Sequence, residues 1–151
     1  MTGDRARAGL PVVLALATIV GTAVGAVALG ALPAARPTVA MTLRADAGTD
    51  RLAVTLRAGE PLSPDRLTVR VRIDGRPLVH QPPIPFFAAA GFRSGPTGPF
   101  NSRADGPWTP GETASLRLAG TNHPALRPGR RVTVVVRAGG VRIARLTARA
   151  R

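Results

Sequence analysis

Two different periodicities divide the chain. Residues 9–32 read GLPVVLALATIVGTAVGAVALGAL, without a single charge. At ~1.5 Å per residue such a run spans roughly 36 Å as a helix, enough to cross a hydrocarbon core of ~30 Å. Pro11 falls in the first turn, where a helix tolerates proline, and Pro33 and Pro37 end the pattern. The expectation is one N-terminal transmembrane α-helix over 9–32 and a short linker over 33–37.

After Pro37 the period becomes two. Thr38 to Arg44 is a first strand candidate. Leu52, Val54 and Leu56 alternate with Ala53, Thr55 and Arg57. Leu67, Val69, Val71 and Ile73 alternate with Thr68, Arg70, Arg72 and Asp74, the clearest half-buried strand of the chain. Asp74-Gly75 signals a hairpin whose return strand would be Pro77 to His80. Ala114, Leu116 and Leu118 alternate again, as do Val132, Val134 and Val136. Gly139-Gly140 then turns the chain into Val141 to Ala148. Pro110-Gly111 and Pro128-Gly129 suit type II turns ahead of two of these strands. The pattern predicts six to eight short strands over 38–151, mainly β, and no helix. An immunoglobulin-like β-sandwich is the natural way to bury such faces.

Residues 81–108 break the alternation. Six prolines and four glycines interrupt them, from Pro82 to Pro107. Long loops of this kind are often functional. Yet this one also holds every Phe of the chain (Phe86, Phe87, Phe92, Phe100) and the sole Trp, Trp108. The rings either fold back over the core or form a recognition surface; the sequence favours the first.

The apolar segment has three readings. A secretory signal has a shorter apolar core and a small-residue cleavage site behind it, a role Ala31, Ala34 and Ala35 could fill. A permanent single-span anchor fits the length. A prepilin-type leader, 1–8, would be cut ahead of the apolar run and leave the helix on the mature protein. Arg5 and Arg7 favour a cytoplasmic tail, which places the C-terminal domain outside. Ala17, Gly21 and Gly25 form a small-xxx-small ladder, a face on which helices approach closely. The same ladder also arises by chance in Gly- and Ala-rich membrane helices.

Composition narrows the function more than the fold. The 151 residues include no cysteine, which removes disulfides, thiolate metal sites and Cys nucleophiles. All 21 basic residues are Arg, and against eight acids they leave a formal charge of +13. Many of them (Arg44, Arg57, Arg70, Arg72, Arg117, Arg137, Arg142, Arg149) alternate with apolar residues, as the outward face of a strand does. The plain reading is a solvated face; the alternative is a polyanion-binding surface. With no Tyr, and with aromatic residues nearly absent from the basic stretches, nucleic acid is not an expected partner. His80 and His123 lack carboxylates at metal spacing, and Ser94 in Gly91-Phe92-Arg93-Ser94-Gly95 is no nucleophile elbow. No phosphate-cradling glycine loop opens a helix, and Asp46, Asp50, Asp65, Asp74 and Asp105 are scattered at turns. No catalytic residue, cofactor or metal is expected, and the chain does not read as an enzyme.

Arg7-Ala8-Gly9-Leu10-Pro11-Val12-Val13, running into the apolar segment, resembles the start of archaeal type IV pilins, whose haloarchaeal members commonly read Arg-Ala-x-x-Pro-Val-Ile there. Leu52 to Leu62 looks like the strand–Gly–acid–x–Leu stretch that often follows in that family. Gly91 to Asn101 and Trp108 to Asn122 resemble the second half of pilin-like haloarchaeal surface proteins. The resemblance implies a structural subunit of a surface filament serving adhesion. It implies a prepilin peptidase that reads Arg7-Ala8 and cuts between Ala8 and Gly9. It also implies a membrane helix that later packs with other pilins through Ala17, Gly21 and Gly25. The alternative is a single-pass surface protein that never assembles and whose basic domain binds a polyanion or a protein partner.

Overall fold

The computed structural model describes residues 38–151. The leader residues Arg7, Ala8 and Gly9, the apolar segment with Ala17, Gly21 and Gly25, and the linker 33–37 lie outside the described residues. Among the described residues no helix is long and apolar enough to cross a membrane.

The alternating segments form seven strands: β1 (Val39–Asp46), β2 (Arg51–Gly59), β3 (Leu67–Ile73), β4 (Arg76–Pro77), β5 (Thr113–Arg117), β6 (Arg131–Ala138) and β7 (Val141–Arg149). They make two antiparallel sheets, a three-stranded one in the order β1-β2-β5 and a four-stranded one in the order β4-β3-β6-β7. Alternation sets the inner faces. On β3, Leu67, Val69, Val71 and Ile73 are buried and the residues between them are exposed. Val69, Val71 and Ile73 lie opposite Val136, Val134 and Val132 in register, so a one-residue slip would turn the whole apolar set outward. Leu52, Val54, Leu56, Ala114 and Leu116 supply the other sheet's contribution to the same core. Each such fully buried Val or Leu contributes ~1.5–3 kcal/mol of transfer free energy.

The turns follow the chemistry of their residues. The Asp46 carboxylate accepts the Gly48 and Thr49 amides at 2.8 and 3.3 Å and closes the β1–β2 turn. Pro110-Gly111 and Pro128-Gly129 form the expected turns. Glu112 N–H donates to Thr109 O and Arg130 N–H to Arg127 O, with φ of 95° at Gly111 and 82° at Gly129. β1 runs past the expected Arg44 to Asp46, since Ala45 and Asp46 still pair with Leu52 and Arg51.

The return strand after Asp74-Gly75 is shorter than Pro77 to His80. Only Arg76 and Pro77 pair with β3. Pro77 has no N–H to give; the Leu78 amide still donates to Val71 O at 3.1 Å, but the Gln81 side chain then takes the place of the Leu78 carbonyl. Its Oε1 accepts the Val71 amide at 2.8 Å and its Nε2 donates to Val71 O at 3.0 Å. A side-chain amide thus stands between Val71 and Leu78 where the second backbone bond of that pair would have formed.

Residues 81–108 are irregular, with one 3-10 turn at Gly98–Phe100. Phe86, Phe92, Phe100 and Trp108 are buried in the core, so the expectation that the rings fold back holds for four of the five. Phe87 is the exception, 37% exposed, with the Arg103 guanidinium 3.7 Å from its ring centroid. The segment also covers the free edge of β5. Arg93 N–H donates to Arg117 O, and Thr97 and Ser115 exchange both backbone bonds. An open strand edge invites pairing with another chain, and this stretch occupies it.

Candidate interaction surface

Among the described residues the side chains singled out by the sequence are not brought together as a catalytic group. Val79 N–H donates to His123 O, which brings the backbone around the two histidines together. Among the described residues, however, no three His, Asp or Glu side chains gather as a metal would require. Ser94 lies exposed in the 81–108 segment. The most buried polar side chain, Asn122, is fully engaged. It accepts the His80 amide at 3.1 Å and donates to the carbonyls of His80 and Gly91 at 3.0 and 3.1 Å. Asn122 is a cross-brace between three loop segments.

The chemistry lies on the outward faces. On the four-stranded sheet, register and exposure place three rows side by side: Thr68–Arg137–Arg142, Arg70–Val135–Arg145 and Arg72–Thr133–Thr147. Arg131 and Arg149 pair in a fourth. Seven arginines therefore share this face, and all seven are exposed. Rows are separated by ~6.6–7 Å along the strands and neighbours by ~4.8 Å across them. Thr133, in the middle, is only 8% exposed, which fits arginine stems lying along the sheet beside it. At one end Asp74, Gly75, Arg131, Thr133, Arg145 and Arg149 line a shallow concavity of about 480 Å³.

Several of these arginines are held by the backbone. Arg72 Nη1 donates to Gly75 O at 3.2 Å, Arg137 Nη1 to Gly140 O at 3.3 Å and Arg149 Nη1 to Gly129 O at 3.1 Å. One such bond fixes a guanidinium and leaves most of its five donors unused. The sole ion pair among the described residues is Arg130 with Asp74, at 3.6 Å and well exposed. Asp74 sits at the rim, and its other oxygen accepts the Arg131 amide. The charge of this face is therefore left almost uncompensated.

The outward face of the three-stranded sheet is different. Asp46 faces Arg51, and Arg51 faces Arg117. Arg51 Nε donates to the Ser115 hydroxyl at 3.0 Å and Arg117 Nε to Thr49 O at 3.1 Å. Thr55 and Thr113 share a hydroxyl bond of 2.7 Å. A groove of about 970 Å³ runs here past Arg44, Arg57 and Arg151. Its basic residues are interleaved with Thr42, Thr55 and Thr113, Arg51 among them is tied to Ser115, and the groove reaches Arg149 of β7.

Sequence reading recognised Arg70, Arg72, Arg137, Arg142 and Arg149 as outward, but not Arg131 or Arg145. Arg131 was within reach, being in phase with Arg137 across the Val132/Val134/Val136 alternation. So was Arg145, four residues from Arg149 and in phase with it; Arg142 is the one out of phase, since it stands seven residues from Arg149 and a regular strand would put the two on opposite faces. An irregularity opposite Val136/Arg137 inserts Ile143 on β7 as an extra residue and restores both to one face.

No protein-family model, no curated protein and no solved structure matches the chain.

Proposed function

We propose that this chain is a structural subunit of an archaeal type IV pilus-like surface filament serving adhesion. The observation that carries this reading is the order of parts along the chain. An Arg7-Ala8-Gly9 junction precedes an uncharged segment over 9–32, and a β domain begins at Val39. In this reading a prepilin peptidase cuts between Ala8 and Gly9. The apolar helix waits in the membrane and then packs against other subunits through Ala17, Gly21 and Gly25. The C-terminal domain faces outward.

The described domain suits an external structural role. β2 lies beside β5 and β3 beside β6, an interleaving that supports reading the domain as an immunoglobulin-like sandwich. One core serves both sheets, with Trp108 and Phe100 at its centre. The second reading is a single-pass surface protein that never assembles and meets a partner through its basic domain; the uncompensated arginine face favours it.

Mass spectrometry of the mature N-terminus, on protein from its own cells, separates the two. Loss of Met1 to Ala8 is the expected result. An intact leader, or a cut near Ala35, would overturn the filament reading.

A further inference from the structure

We infer that the outward face of the four-stranded sheet binds an acidic polysaccharide, a linear sugar polymer bearing carboxylate or sulfate groups. The argument starts from what the face offers. Arg70, Arg142 and Arg145 are exposed, and no carboxylate stands among them. Arg72, Arg137 and Arg149 are each steadied by one backbone carbonyl. Guanidinium groups match the planar geometry of carboxylates and sulfates through paired N–H donors. Arrayed on a rigid sheet, they suit a partner that repeats its anions along its length.

What the face lacks narrows the choice. A protein partner is normally held by apolar anchors in a desolvated centre. Here the centre holds Val135 and Thr133 between arginines, and none of the exposed large apolar residues (Val79, Phe87, Val141) belongs to these rows. A lipid surface is gripped by apolar side chains beside the basic ones, and the same absence counts against it. Single-stranded nucleic acid is held by stacking on aromatic rings, whereas Phe86, Phe92, Phe100 and Trp108 are all buried. Duplex DNA needs only phosphate contacts, and the preference for sugar over duplex rests on the external location proposed above. The binding itself does not depend on filament assembly, so a failed leader cleavage would leave it standing.

The test uses the full chain in a neutral detergent at 0.15 M salt. The probes are polygalacturonate for carboxylates, dextran sulfate for sulfates and neutral dextran as the blank. Duplex DNA and polyglutamate are matched to them in charge concentration. R70Q/R142Q/R145Q removes three charges from the face, and R44Q/R57Q/R93Q removes three elsewhere. These arginines are exposed, and thermal melting checks that both variants fold. At least one acidic glycan should bind, and the first variant should weaken it about tenfold or more while the second changes it less than about threefold. Which glycan binds more tightly tells carboxylate from sulfate. Equal losses in the two variants would reduce the effect to net charge and overturn the inference. So would tighter binding of DNA or polyglutamate than of either glycan, or no glycan binding at all.

Discussion

Replacing Trp108 by Ala tests whether the proline-rich segment is part of the core. The indole is fully buried, its edge meets the Phe100 ring at 5.4 Å and 76°, and its Nε1–H donates to Glu112 O at 3.0 Å. Its backbone is tied to Leu62 by two hydrogen bonds of 2.7 and 2.9 Å, which the substitution leaves in place. Truncating a buried Trp to Ala typically costs ~3–5 kcal/mol from lost transfer free energy and the cavity left behind. The Glu112 carbonyl loses one of its two donors and keeps the Leu56 amide, so about 4 kcal/mol is the expected loss. That is a large part of the ~5–15 kcal/mol a domain possesses. With ~2.1 cal/mol/K of unfolding entropy per residue over roughly 115 residues, it lowers Tm by about 17 °C. Trp108→Phe keeps most of the apolar volume and loses the N–H donor, so it should cost only ~1–2 kcal/mol, or about 4–8 °C.

Both variants are read by thermal unfolding followed by circular dichroism on the full chain in detergent. Because Trp108 is the sole tryptophan, the parent protein reports on the same point without mutation. Its emission should be blue-shifted and shielded from acrylamide until the strands melt. Two results would refute the reasoning: an Ala variant within ~1 kcal/mol of the parent, or a native indole quenched as freely as the unfolded one. Either would mean that residues 81–108 do not pack as described.

Two further outcomes follow from the backbone and from the proposed assembly. Gly91→Ala should destabilise by roughly 2–4 kcal/mol, since φ there is 82° and a Cβ would lie 2.6 Å from His80 Cβ and 2.8 Å from Asn122 Nδ2. Gly111→Ala is the control: φ is 95° but the Cβ meets nothing within 4 Å, so only the conformational cost of ~1–2 kcal/mol should show in the melt. Replacing Gly21 and Gly25 by Leu should block filament assembly while membrane insertion, followed by fractionation, persists; normal filaments on those cells would remove the packing role of the ladder.

The strands were legible because one physical rule dominates them. Where one face is buried, apolar residues must recur every second position, and β2, β3, β5 and β6 do this without exception at their inner sites. Legibility failed where a side chain did the work of the backbone. Nothing in the spacing of Gln81 says that its amide will pair with Val71, yet that contact is what ends β4 early. It failed again for the role of 81–108. The aromatic content suggested capping, but the cover over the β5 edge consists of main-chain bonds from Arg93 and Thr97, and main chain carries no signature in sequence.

The arginine face shows where local pattern ends and topology begins. Alternation within β3 says only that Arg70 and Arg72 point away from the core. That they share a surface with Arg137 and Arg145 depends on β3, β6 and β7 lying side by side, an order fixed by long-range pairing. That Arg142 joins them depends on a single extra residue, Ile143. Drawing Ile143 into a regular ladder, with no residue left over, would force a choice on β7. Either its register is kept and Arg142 turns inward, or the pairing slips and Ala144, Leu146 and Ala148 leave the inner face. A buried unpaired guanidinium costs several kcal/mol, and exposing Leu146 costs ~1.5–3 kcal/mol. The irregularity is therefore what makes a complete apolar inner face compatible with a continuous cationic outer one. The acidic-glycan reading stands on that compatibility, since a strictly alternating β7 would divide the same arginines between core and solvent.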